Sequence, residues 1–135
     1  MRIAIIRKGH FNAAHRLYKP DWTDEKNKDV FGICSNPNYH GHNYEMEVKI
    51  MGELDHNTGI LMDLKVLKEI IEINVENRYD HKNLNMDCPE FIGKIPTAEN
   101  ICIGIYKILR NVIPSHLDIH IRLSETPRNF VEYPC

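Results

Sequence analysis

His40 and His42 are separated by a single glycine, and this spacing is the most chemically pointed feature of the chain. On a strand, residues two apart project from the same face. Two imidazoles placed that way can chelate one ion, and Gly41 lets the backbone approach closely between them. Carrying the parity forward gives Tyr44, Met46, Val48 and Ile50, all apolar, while Asn43, Glu45, Glu47 and Lys49 are polar. The pair therefore lies on the face a strand would bury. An HxH motif by itself is equally compatible with a surface pair or with two hydrogen-bonded core histidines. His15 is the natural third ligand, because it ends an earlier strand-like run and shares parity with Phe11. Three neutral imidazoles with an open fourth position describe a catalytic zinc site. His10, His56, His116 and His120 lack such support and read as solvent-facing or structural.

Three further places carry titratable groups worth chemistry. Cys34 lies six residues before His40 in an irregular, polar stretch. A thiol near a divalent cation tends toward its thiolate, which serves as base or nucleophile. Cys88, Cys102 and Cys135 read instead as small buried hydrophobes. Asp80-His81 follows a helical run, and histidine suits proton shuttling near neutral pH. As a dipeptide it is usually just a loop feature. Glu125 extends the apolar parity of Ile119, Ile121 and Leu123 by one step. Either the strand ends at Leu123 and Glu125 faces water, or a carboxylate sits on the buried face and needs donors. The planar N–H pair of an aminopyrimidinone ring would supply them.

The elements that must position these groups follow from periodicity. Arg2 to His15 reads as a strand, and the stretch from Tyr18 to Tyr39, with Pro20, Gly32 and Pro37, as a long functional loop. A second strand starts at the HxH motif, and Gly52 to Gly59 is turn-rich. Asp63 caps a helix carrying Leu64, Leu67, Ile71 and Val75. Arg78 to Pro96 is a loop. Thr97 caps a second helix with Ile101, Ile105, Ile108 and Val112, and Pro114 lies past its end. Ile119 to Leu123 alternates again, Thr126 to Asn129 is a turn, and Phe130 to Tyr133 is a returning strand. Strands grouped with helices segregated predict α+β, an antiparallel four-stranded sheet with two helices.

Composition narrows the function classes. The chain has 135 residues, which suits one domain spanning 1–135. Acids and bases are interspersed around a formal net charge of −2, with no basic stripe for nucleic acid. No apolar run approaches membrane-spanning length, and no secretory leader is read at the N-terminus. Four scattered cysteines without a CxxC pair fit a reducing compartment, so a cytoplasmic protein is expected.

The chain resembles the 6-pyruvoyl-tetrahydropterin synthase family. The matching blocks are Phe11-Asn12-Ala13-Ala14-His15-Arg16-Leu17, Cys34 through Tyr44, Tyr79-Asp80-His81-Lys82-Asn83-Leu84, Pro96-Thr97-Ala98-Glu99-Asn100 and Glu125-Thr126. They stand in the family's order and cover nearly the whole chain. The resemblance implies His15, His40 and His42 as zinc ligands, Cys34 as catalytic thiolate, and Asp80 with His81 as proton relay. It implies Glu125, and with it Thr97, as contacts of the pterin ring, and suggests Arg16 as a triphosphate contact. It further implies the tunnelling fold, with both helices on one face of the sheet. The assembly would be a dimer of trimers, a homohexamer, with active sites between subunits.

The implied reaction converts 7,8-dihydroneopterin triphosphate to 6-pyruvoyl-tetrahydropterin with loss of triphosphate. Within the same fold, 6-carboxy-tetrahydropterin synthases act on this substrate on the route to deazapurine (queuosine-type) tRNA bases. Their cysteine typically stands closer to the HGH motif than Cys34 does, which favours the pyruvoyl-forming group. Relatives that cleave the dihydroneopterin side chain carry Glu at or just after the cysteine, where this chain has Cys34-Ser35. A zinc-stabilised pterin-binding protein without turnover would need none of Cys34, Asp80 and His81. Asn12 and Leu64 stand where Ser or Asp, and Phe, are more usual in the family.

Overall fold

The computed structural model describes residues Met1 to Cys135. Strands β1 (Arg2–His15) and β2 (His40–Glu53) pair antiparallel along their full lengths, from Arg2 opposite Glu53 to His15 opposite His40. This register decides the site. It sets His15 directly across from one histidine of the HxH motif and Ala13 across from the other. The inward parity is apolar throughout, with Phe11, Ala13, Tyr44, Met46, Val48 and Ile50 fully buried. The rings of Phe11 and Tyr44 stack at 5.0 Å and support the strand ends just before the histidines.

Strand β3 (Lys82–Asn83) lies on the outer edge of β1, while β4 (Asp118–Thr126) and β5 (Asn129–Tyr133) extend the sheet beyond β2, giving the order β3-β1-β2-β4-β5. The sheet thus has five strands rather than the expected four, and β3 runs parallel to β1. Two residues are too short for alternation to reveal. His81 makes the turn possible by adopting a φ of 60°, and its N–H donates to the Asn12 carbonyl at 2.6 Å.

Two helices pack on the apolar face. Asp63 caps α2 (Leu64–Ile71) by accepting from the Lys65 N–H at 2.8 Å. A wider, π-type turn over Glu72–Glu76 continues it into the short α3 (Asn77–Tyr79), so that Leu67, Ile71, Val75 and Tyr79 enter the core. Thr97 caps α5 (Ala98–Arg110), which buries Ile101, Cys102, Ile105 and Leu109. Glu99 in its first turn and Arg110 in its last complement the helix dipole. The Arg110 guanidinium also donates to the carbonyls of Leu117, Ile113 and Pro114, fixing the entry to β4. Ile108 is only partly buried and Val112 lies beyond the helix and exposed, because the buried stripe runs through Leu109 instead. Leu64, expected on the inner face of α2, is likewise exposed.

The two expected loops hold more structure than periodicity shows. Between Tyr18 and Tyr39 lie α1 (Asp24–Phe31) and one 3-10 turn over Gly32–Ser35. Helix α1 is polar on nearly every side and buries only Asn27, so it has no apolar stripe to read. The Asn27 amide instead bonds the Lys19 backbone at both N–H and carbonyl. Between Arg78 and Pro96 come β3, α4 (Leu84–Asp87) and a 3-10 turn over Pro89–Phe91. Cys88 and Cys102 are buried as expected, but Cys135 is exposed at the chain's last residue. No helix is long and apolar enough to cross a membrane.

Candidate metal centre and active site

The three histidines meet at one end of the β1–β2 ladder. Ring centroids of His15 and His40 lie 4.5 Å apart, His40 and His42 5.0 Å, and His15 and His42 5.1 Å. Burial differs among them: His15 is wholly enclosed and the other two are half-buried. Burial holds the imidazoles of His40 and His42 below their ordinary pKa, with Glu125 opposing that effect. Both are therefore neutral at physiological pH, the form that ligates metal.

Each ring is also oriented. His15 Nδ1 lies 2.8 Å from the Pro96 carbonyl, which can only accept. Nδ1 therefore carries a proton and Nε2 faces the other two rings. The Tyr44 hydroxyl, 3.2 Å from His15 Nδ1, buttresses the same ring, and burial raises its own pKa. His40 Nε2 is buried without any hydrogen-bond partner. A buried nitrogen left unpaired beside two convergent imidazoles is what a metal ligand looks like without its ion. The donor set of nitrogen ligands suits zinc, so the residues present fit the ion.

The structure adds a member to the cluster. Glu125 does face the buried side of β4, and its Oε1 lies 2.8 Å from His42 Nε2 and 3.4 Å from His15 Nε2. One donor atom from each of His15, His40, His42 and Glu125 falls within 4.8 Å of every other. The nearness of His15 holds the Glu125 carboxyl below its ordinary range against the opposing pull of burial, so the group is an anion at neutral pH. The parity of β4 pointed to this face. That the carboxylate would reach the imidazoles was not legible, because it depends on the irregular register between Ser124 and Thr126.

The other sequence candidates fall into two neighbourhoods. Cys34 is half-buried in the turn after α1, and its carbonyl accepts from the Leu17 N–H at 2.9 Å, two residues past His15. Arg16 binds the same segment: its Nε donates to the Ser35 carbonyl at 2.7 Å and its guanidinium covers the Tyr18 ring at 3.8 Å. The Thr97 hydroxyl accepts from the Asn100 N–H at 3.2 Å, capping α5 directly after the Pro96 that holds His15. Asp80 and His81 stand on the outer side of β1, across that strand from the HxH motif. They pair with each other at 2.9 Å, and both are exposed, the His81 side chain to 83%. The Asn12 N–H and His81 hold the Asp80 carboxyl below its ordinary range. No hydrogen bond or ion pair joins either residue to Cys34 within one chain.

Pro96 and Tyr44 lie within the matching blocks, but the sequence assigns neither a role at the site. Pro96 acts through its main-chain carbonyl, which carries no residue-type signal, and Tyr44 reads as one more apolar residue of a buried face. A cavity of about 460 Å³ opens among Lys8, His10, Glu45, Glu47, Arg122 and Phe130 on the sheet's other parity. Within the single chain the metal cluster is partly exposed through His40, His42 and Glu125, while His15 is enclosed.

The family described as 6-pyruvoyl tetrahydropterin synthase matches residues 4–134 of this chain. The chain is 43% identical to a 6-pyruvoyl tetrahydrobiopterin synthase of Pongo abelii over 129 residues, covering 96% of this chain and 89% of that one. Its identity to the Homo sapiens protein of the same name is 41% over the same length and equal coverage. The solved 6-pyruvoyl tetrahydropterin synthase of Caenorhabditis elegans superposes with a TM-score of 0.93 at 36% identity, covering 100% of this chain and 96% of that one.

Proposed function

Since the chain belongs to the 6-pyruvoyl tetrahydropterin synthase family, we propose that it is a zinc-dependent lyase that converts 7,8-dihydroneopterin triphosphate to 6-pyruvoyl-tetrahydropterin and triphosphate. The observation that carries this reading is the convergence of three imidazoles, two of whose Nε2 atoms, on His40 and His42, are buried without a hydrogen-bond partner, beside a cysteine-bearing turn. His15, His40 and His42 would hold the ion. When bound, zinc supplies a Lewis acid that polarises the side-chain oxygens of the substrate and acidifies the neighbouring C–H.

The chain's own groups do the rest. Cys34, as thiolate, takes the proton from the side-chain carbon, the electron pair forms the new double bond, and the triphosphate leaves with the C–O pair. Asp80 and His81 move that proton onward, and tautomerisation then yields the pyruvoyl group without an external oxidant. Glu125 accepts the planar N–H pair of the ring, and Thr97 is the further candidate contact of that ring. Arg16 is the candidate contact for the triphosphate.

The exposure of Asp80 and His81, on the far side of β1, supports an assembly in which a second copy completes the relay. A homohexamer of two trimers is the arrangement we adopt, with residues 1–135 as one domain. The four unpaired cysteines support a cytoplasmic setting.

Release of inorganic triphosphate from 7,8-dihydroneopterin triphosphate tests the reading. Stoichiometric release by the zinc-loaded chain, abolished by a chelator, is the expected result. Tight pterin binding without release would make the protein a binder and overturn it.

A further inference from the structure

We infer that Glu125 is a switchable fourth ligand: it closes the metal site of the substrate-free protein and is drawn off the ion when a pterin ring binds. This rests on the function proposed above and deepens it. The contacts of the Glu125 carboxylate are both to the imidazole cluster, and both are made by Oε1. Its Oε1 lies 3.4 Å from His15 Nε2, close to the roughly 3.3 Å edge of a tetrahedron with metal–ligand bonds near 2.0–2.1 Å, and 2.8 Å from His42 Nε2, inside that edge. An anionic oxygen and a ring nitrogen face one another stably only with a cation or a proton between them.

No other contact competes for this carboxylate in the single chain. A ring carrying two parallel N–H donors does compete. Such a pair engages both oxygens of one carboxylate at once, so Oε1 cannot keep its place on the ion. Withdrawing the anion restores charge to the metal and opens a position as the substrate's side-chain hydroxyls arrive. The strand geometry allows this: Glu125 sits at the irregular end of β4, beyond the regular β2–β4 pairing that stops at Ser124.

The test is zinc affinity by chelator competition, on wild type and Glu125→Gln, each with and without 6-methyl-7,8-dihydropterin, a ring whose substituent cannot ligate metal. The expected result is a loss of at least about tenfold in zinc affinity for Glu125→Gln. Saturating dihydropterin should weaken zinc binding of the wild type by about five- to tenfold, with no further effect on the variant. If the variant fails to fold, the dihydropterin effect on the wild type decides alone, and its absence overturns the switch. Unchanged zinc affinity in a folded variant overturns it too, even where dihydropterin binding is lost; that outcome leaves Glu125 as a ring contact only and the proposed function intact. Failure of the wild type to bind dihydropterin would sink the proposed function itself.

Discussion

At the scale of single residues, the site divides into groups that hold an ion and groups that move a proton. Cys34→Ala should reduce turnover to near background while the protein retains one zinc per chain by metal analysis. Full activity in that variant would remove Cys34 from the mechanism. The imidazoles make the metal-free protein sensitive to acid. Burial sets His40 and His42 below the ordinary imidazole value, so the unfolded chain binds more protons than the folded one as pH falls past about 6.5. Their contribution is full above that value and declines below it. Thermal melting of the metal-free chain should therefore show a lower midpoint at about pH 5.5 than at about pH 7.5; an equal or higher midpoint would contradict it. The histidines were legible because two-residue spacing on an apolar parity is a strong constraint. Glu125 was legible only as a choice between two environments. Its contact with the imidazoles needs the backbone course at the end of β4.

Among elements, the N-terminus of α5 couples helix stability to the metal site. Thr97 caps that helix, and the preceding Pro96 carbonyl fixes the tautomer of His15. Thr97→Ala should cost about 1 kcal/mol of stability, while Thr97→Ser keeps most of it. A loss of pterin affinity in Thr97→Ala that Thr97→Ser restores would show the hydroxyl acting in ring binding as well as in the cap. The long strands and both amphipathic helices were readable, since each repeats its period over several turns or pairs. Helix α1 was not, because a polar helix held by Asn27 and the Thr23 cap shows no stripe. Strand β3 was not, because two residues have no period and its place depends on the backbone of His81.

For the molecule as a whole, a single chain leaves its chemistry unfinished. The metal cluster stays partly exposed through His40, His42 and Glu125, and Asp80 with His81 is displayed outward on the other side of β1. An assembly that brings one chain's His81 to another chain's Cys34 resolves both facts. Inactive Cys34→Ala and His81→Ala proteins, unfolded and reassembled together, should regain activity that neither has alone. No recovery in mixed oligomers would place the whole relay within one chain.

The identity of the reaction is tested most directly by mass spectrometry of the product. Zinc-loaded protein incubated with 7,8-dihydroneopterin triphosphate should give a 6-pyruvoyl-tetrahydropterin that keeps every carbon of the substrate, with triphosphate released. A 6-carboxy-tetrahydropterin accompanied by acetaldehyde would preserve the fold and the metal centre but contradict the assigned reaction.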